Sequence, residues 1–448
     1  MSLYSAVISF IERKIAPIAG KIGGQHHVLA VRDGFISAMP FMIVGSFLLI
    51  FAFPPFAKDT TFAFGQMWVQ FALENKETIM MPFRMTMGVM TMYIAVGIGQ
   101  NLAQNYKLDP LMGGLLSLCS FLLVAAPVAN GGIPAAYLGG TGIFTAIITS
   151  LYSIELMNFL KKKNLTIRLP EQVPEKIARS FELLVPVAIM IATLYPLSLM
   201  LKSATGMILP ELIMNVFKPL VSASDSLLAI LICVAISHLL WFCGIHGAAI
   251  VTNLLQPFWL ANLAANQSAL ELGQALPHVF VDPFWRFYIV IGGCGSTFTL
   301  VLMYLRSRSA HLRSIGKLSL IPAIFNINEP VIFGSPLVMN PIMLIPFVGI
   351  PLVNATVAWF ALSTGLVDKF ISVVPWTTPS LLGASWAAGW SVGPVILVLI
   401  NFCISFILWM PFYKTYEKQL LAEEAPESVE APNNTESSSA KVSQTQHN

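Results

Sequence analysis

Glu329 stands alone between Lys317 and Asp368, a stretch of 50 residues with no other charge. An ionisable group inside so apolar a sequence is expensive to bury, which makes it a functional-site candidate. Its setting is Asn326-Ile327-Asn328-Glu329-Pro330. Pro330 lacks a backbone donor and disfavours helix at Glu329, so the segment reads as a broken helix or a re-entrant tip. Asn326 and Asn328 can hydrogen-bond freed backbone groups or the hydroxyls of a ligand. Broken backbone at membrane depth is tolerated where it lines a cavity or is buried in protein. The competing reading is a helix-end Glu at the interface, capped by its neighbours.

A second constellation is Trp241-Phe242-Cys243-Gly244-Ile245-His246-Gly247. His246 can hold a proton, bond a hydroxyl or orient a carboxylate. A lone His on an apolar stretch is also a common packed core residue, but Asn253 and Gln256 follow in the same span and add polar groups to it. His238 has no ligand-like partner and reads as structural. Tryptophans can form an interfacial belt or a sugar platform, on which the C–H face of a pyranose stacks while its rim hydrogen-bonds. Trp376, between Pro375 and Pro379, cannot sit in regular helix and joins Trp241 as a candidate. Trp386 and Trp390 read more as belt residues. Arg84 opens a span, either as a snorkelling interfacial residue or as part of the site. Asp282 and Arg286, four apart, can simply pair.

No Lys-Ser/Thr follows Gly139-Gly140-Thr141-Gly142, so this is no P-loop. There is no HExxH, no GxSxG and no dinucleotide fingerprint. Neither a metal nor a nucleotide site is visible, so no cofactor is expected on this chain and a self-powered pump is disfavoured. Cys119, Cys233, Cys243, Cys294 and Cys403 are scattered through apolar sequence and read as buried thiols.

The elements that must position these residues follow from composition. Of 448 residues, 56% are hydrophobic and 10% charged, against about 25% charged in a soluble domain. Mean hydropathy is +0.74. A net charge of +3 gives no field for nucleic acid. Charge-free stretches predict spans at 34–57, 85–106, two within 110–154, one at 183–201, two within 226–270 broken near Gly244–Gly247, one at 287–305, and about two elements each in 330–367 and 370–413. The fold expected is an all-α polytopic membrane protein of about ten spans. The start carries charges in no signal-peptide order, so insertion through its own spans is expected. Basic segments at 3–32, 161–182 and 306–317 read as amphipathic or loop and, with Lys414 and Lys418, belong on the cytoplasmic side, as do both termini. Residues 422–448 read as a disordered tail.

Several stretches together resemble the membrane (IIC) component of the bacterial phosphoenolpyruvate-dependent sugar phosphotransferase system, in its lactose/cellobiose/diacetylchitobiose group. They include Gln25-His26-His27-Val28, Arg32-Asp33-Gly34-Phe35, Gly244-Ile245-His246-Gly247, Asn328-Glu329-Pro330, Met339-Asn340-Pro341 and Pro375-Trp376-Thr377. The likeness runs from about residue 10 to residue 413. It implies ten transmembrane helices with two re-entrant hairpins and amphipathic helices, in a homodimer in the cytoplasmic membrane. It divides the chain into a dimer-making half with an amphipathic linker (1–182), a sugar-binding half (183–413) and a tail (414–448). It implies that Glu329 and His246 face the sugar hydroxyl that is phosphorylated. Asn326, Asn328, Trp241, Trp376, Asn253 and Arg84 are the candidates to shape the sugar site. The implied donor is a phosphocysteine on a IIB protein, itself supplied by IIA, HPr and enzyme I. Because the sequence after Tyr413 has no Cys, a separate IIB chain is expected to dock on the basic face that carries Arg306, Arg308 and Arg313. The expected cargo is a β-linked disaccharide. Two other classes fit the residues less well: an ion-coupled transporter using Glu329 as proton carrier, and a membrane hydrolase or transferase acting alone.

Overall fold

The computed structural model describes residues 24–424 together with 13, 17 and 21, apart from 57–58, 128–130, 168, 171, 175–179, 336 and 339. The expected amphipathic segment 3–32 falls mostly outside these residues, and its last part, from His26, already belongs to the first long helix. Arg168, Lys176, Arg179 and the tail beyond Glu424 also lie outside them.

The elements are helical throughout. α1 (His26–Ala52) begins where the Gln25 side chain accepts from the Val28 N–H at 2.9 Å. α2 (Ala63–Thr86) leads through a 3₁₀ turn at Met87–Val89 into α3 (Met90–Asn105). Together they form a 43-residue stretch, about twice what one crossing needs. α2 was absent from the charge-free reading because Glu74, Lys76, Glu77 and Arg84 interrupt its apolar face. α1 and α3 cross at backbone contact: a Cβ on Gly97 would sit 2.8 Å from the Gly34 carbonyl oxygen. Small residues permit such approach where lipid gives no hydrophobic drive. α4 (Pro110–Ala125), capped by Asp109, and α5 (Ile143–Lys162) complete this group. Ser117 of α4 ties it together, its hydroxyl lying 2.6 Å from both the Ala95 carbonyl, to which it donates, and the Ser150 hydroxyl.

α6 (Leu184–Thr205) ends at Gly206, whose φ of 73° is a left-handed helix stop. α7 (Leu209–Ser224) and α8 (Leu227–Phe242) form a pair bent by 76°. α9 (Gly247–Glu271) returns after a four-residue break, 243–246, where the sequence placed one. The predicted span 287–305 is not one continuous helix. It folds as a turn at Asp282–Phe284, a π-helical turn at Trp285–Ile289, irregular chain, and the short α10 (Phe298–Leu305). Gly292, Gly293 and Gly295 all have positive φ and interrupt the helix, while the segment is buried in protein.

The basic segment 306–317, read as amphipathic or loop, is largely helical and opens α11 (Ala310–Ile324). The chain then turns at Asn326 into α12 (Glu329–Gly334), α13 (Pro341–Ser363), α14 (Ser380–Ala387) and α15 (Gly393–Glu424). α15 runs ten residues past the point where the tail was expected to start. Its end is docked: Glu417 accepts from the Ser307 hydroxyl at 2.5 Å and the Arg308 N–H at 2.7 Å. Glu424 accepts from Ser309, Ala310 and His311 at the α11 N-terminus, where a carboxylate is favoured by unpaired N–H groups.

Among the described residues, seven helical stretches are long and apolar enough to cross a membrane, or eight if the bent α7–α8 pair counts as one. The expected ten is not reached by length, because α10, α12 and α14 have only six to eight residues each. The two groups of helices meet where Ser372 donates to the Ser46 carbonyl at 3.2 Å and where Gly140 abuts Ala264.

Candidate functional site

Asn326 is the hub of the polar framework. It follows α11 with φ 61°, a region that Asn tolerates better than most residues. Its Oδ1 accepts from the Gly292 N–H at 3.0 Å and the Ser380 hydroxyl at 2.9 Å. Its Nδ2 donates to the Trp376 carbonyl at 3.1 Å and the Thr378 carbonyl at 2.9 Å. Both donors and both lone pairs are therefore committed. Asn328 is buried and donates to the Cys294 carbonyl at 2.6 Å and Thr297 Oγ1 at 2.8 Å. A Cβ on Gly293 would overlap the Asn328 amide, so the irregular segment at 292–297 can close on it only as glycine. The two asparagines thus bolt two separate stretches of chain, 292–297 and 376–380, around the Glu329 turn.

Glu329 opens α12 as its first residue, with Pro330 next. Pro fits this place because the N–H it lacks would be unpaired there anyway. The carboxylate is exposed and has no hydrogen bond or ion pair among the described residues.

His246 is the N-cap of α9. Its Nδ1 accepts from the Ala249 N–H at 3.0 Å. In the neutral ring the proton then sits on Nε2, which faces outward as a donor. Gly247 makes this hairpin possible, because a Cβ there would collide with the Ser237 carbonyl of α8. Trp241 packs its ring on His246 at 4.3 Å and on Phe333 of α12 at 6.4 Å. The histidine hairpin and the glutamate helix are thereby joined across one indole. The buried Trp241 N–H has no geometrically sound partner; the Cys294 thiol beside it is a weak acceptor.

Trp376 lines a cavity of about 30 Å³ with Gln256, Trp259, Asp282, Arg286 and Met42. That is room for about one water. Arg286 and Asp282 pair at 3.1 Å as their spacing foretold. Arg286 and Gln256 were not ranked as site residues, and nothing local marks them, since Trp376 reaches them through the fold. Asn253, half-buried, lies one turn before Gln256 on α9. Arg84 is placed elsewhere. It sits in the last turn of α2, paired with Glu77 at 2.8 Å. It lines a cleft of about 850 Å³ with Lys218, Glu271 and His278, none of which touches the Glu329 turn. His238 is fully buried with Nδ1 on the Val234 carbonyl, a structural residue as read.

Comparison with known proteins agrees along nearly the whole chain. The family profile "Phosphotransferase system, EIIC" matches residues 32–351. The lichenan permease IIC component of Bacillus subtilis is 37% identical, over 97% of this chain and 99% of that protein. The cellobiose-specific EIIC component of Geobacillus stearothermophilus is 36% identical, over 93% and 96%. The crystal structure of the transporter ChbC, the IIC component from the N,N'-diacetylchitobiose-specific phosphotransferase system, superimposes with a TM-score of 0.86 at 37% identity, covering 94% of this chain and all of that one.

Proposed function

Since the chain belongs to the EIIC family of phosphotransferase-system membrane permeases, we propose that it carries a β-linked disaccharide inward and presents it for phosphorylation. The observation that carries this is the Trp241 ring, which packs on His246 on one side and on Phe333 on the other, in the short helix that the exposed, unpartnered Glu329 opens. Relatives named for cellobiose, lichenan and diacetylchitobiose support the β-linked class.

A sugar's primary hydroxyl is a poor nucleophile. Glu329 orients it and accepts its proton, while His246 Nε2–H steers the oxygen from the other side. The oxygen attacks phosphorus on the phosphocysteine of a IIB chain. The new O–P bond forms as the S–P bond breaks, and the cysteine leaves as thiolate. Phosphoryl transfer is chiefly positioning and charge stabilisation, which suits a site built from few groups on rigid supports. Asn326 and Asn328 act in this scheme as framework; Trp241, Trp376, Asn253 and Gln256 supply sugar contacts. Arg84 lies outside it, on the access route.

The donor docks on the face with Lys161–Lys163, Lys414 and Lys418, which we take as cytoplasmic, with both termini on that side of the inner membrane. Arg306 and Arg308 are exposed there, whereas Arg313 is already bonded to the Ser307 carbonyl. Charge reversal of Arg306 and Arg308 should therefore raise the IIB concentration needed for half-maximal rate, and reversal of Arg313 should act mainly on folding. An unchanged IIB requirement in the double reversal would move the docking face elsewhere.

The test of the function is sugar phosphorylation in inside-out vesicles, supplied with IIB, the soluble phosphotransferase proteins and phosphoenolpyruvate. Cellobiose, diacetylchitobiose and lactose are offered in parallel. Sugar phosphate that forms only with IIB supports the proposal and names the substrate. Uptake of free sugar driven by a proton gradient, with no phosphate formed, overturns it.

A further inference from the structure

Trp390 is an unusual residue to find in left-handed backbone. Its φ is 65°, which is strained for a bulky side chain. Its indole is 40% exposed, so core packing does not repay that strain. Held this way, the ring lines a cleft of about 650 Å³ with Phe53, Lys76, Glu271, Asp368 and Ser391. That volume falls in the range of about 300–1,000 Å³ typical of small-molecule sites.

The lining has the chemistry of a carbohydrate subsite. The Trp390 indole stands parallel to Trp386, with ring centres 6.3 Å apart and planes 4° apart. Lys76 sits over the Phe53 ring at 4.7 Å. Asp368 accepts from the Ser391 hydroxyl. Glu271 makes no hydrogen bond or ion pair among the described residues, so its carboxylate is free to accept from a ligand. Aromatic faces with carboxylate and hydroxyl groups at their rim suit a sugar ring, apolar on its face and polar at its edge.

The cleft also lies on the way to the small cavity of Trp376 and Arg286. α1 contributes Met42 to the cavity and Ala52 to the cleft, ten residues on, or about 15 Å at helical rise. α9 contributes Leu263 to one and Leu270 to the other; the strand of chain at 371–376 touches both. The cleft lies at the C-terminal end of α1 and just before the start of α15, at the ends away from the basic segments.

We propose that this cleft is an outer subsite in which a disaccharide is held before it reaches the phosphorylation site, with Trp390 as its stacking platform. The inference rests on the sugar-permease reading above. The test compares two assays of full-length Trp390→Gly, Trp390→Phe and Glu271→Gln in membranes, using radiolabelled cellobiose, or whichever of the three disaccharides the wild type phosphorylates. Glycine relieves the left-handed strain, so Trp390→Gly should fold at least as well as the wild type. In right-side-out vesicles its half-saturation for uptake should rise about tenfold. Trp390→Phe, which keeps a ring, should recover much of that loss. In inside-out vesicles, where sugar arrives from the other face, IIB-dependent phosphorylation should stay within about twofold of the wild type. Unchanged uptake by Trp390→Gly and Glu271→Gln overturns the subsite. So does an equal loss in both assays, which would mark Trp390 as structural. A wild-type chain that phosphorylates none of the sugars instead sinks the permease reading itself.

Discussion

At the scale of single residues, the geometry separates groups left free from groups that hold. Glu329 has no hydrogen bond or ion pair among the described residues, whereas Asn326 and Asn328 are occupied. Glu329→Gln keeps the shape and removes the proton acceptor. It should lower IIB-dependent phosphorylation by about 10²-fold or more while disaccharide affinity, read by equilibrium binding in detergent, changes little. Equal loss of both would make Glu329 a binding residue only. His246 has two jobs that can be pulled apart. His246→Asn retains a good helix cap but lacks the Nε2 donor, so it should melt like the wild type yet phosphorylate about tenfold more slowly. His246→Ala loses both and should in addition cost about 1 kcal/mol of stability. If the Asn variant is as active as the wild type, the imidazole serves only the helix.

At the scale of elements, the site is a meeting of chain ends rather than of helix faces. Asn326 bonds backbone from residues 292, 376 and 378 and the hydroxyl of Ser380. Asn326→Gly tolerates the positive φ but abandons all four bonds, and it should cost about 3 kcal/mol and abolish phosphorylation. Thermal melting of the purified variant checks the first, vesicle assays the second. A neutral result would mean that the Glu329 turn is held by packing alone.

How much of this was legible follows from the same residues. Glu329 showed itself by being the one charge in its stretch, and the break at 243–246 by glycines around a histidine. The fourfold role of Asn326 was not legible, because its partners lie 34 to 54 residues away and no local pattern connects them. α2 was hidden by its own charges. The apolar run 287–305 promised a helix, yet three glycines at positive φ fold it into turns. Hydrophobicity reports that a segment leaves water; it does not report whether the segment crosses.

For the whole molecule, the small cavity decides what must move. Its lining mixes Met39 and Met42 of α1 with Gln256 of α9 and Trp376, so it lies at the seam of the two helix groups. At about 30 Å³ it cannot hold a disaccharide, so if the proposed sugar path runs through it, α9 must part from α1 to admit one. Gly140 touches Ala264 of α9 along the same seam. A Cβ on Gly140 would lie 2.1 Å from the Ala264 Cβ, so Gly140→Ala should wedge this seam and slow IIB-dependent phosphorylation in vesicles at least about tenfold. Turnover that ignores the added methyl would place the motion elsewhere, within the second group.

The capping bond of His246 has a consequence for the bilayer as an insulator. An imidazole that relays protons needs both nitrogens, one to receive and one to release. Here Nδ1 is tied to the Ala249 N–H, so only Nε2 faces the site. A proton taken up by Glu329 has no second carrier to hop to through this ring. In the mechanism proposed above, sugar could thus pass this histidine without the ring itself serving as a proton relay between the two aqueous sides, so any leak of the cell's proton potential would have to run by another route.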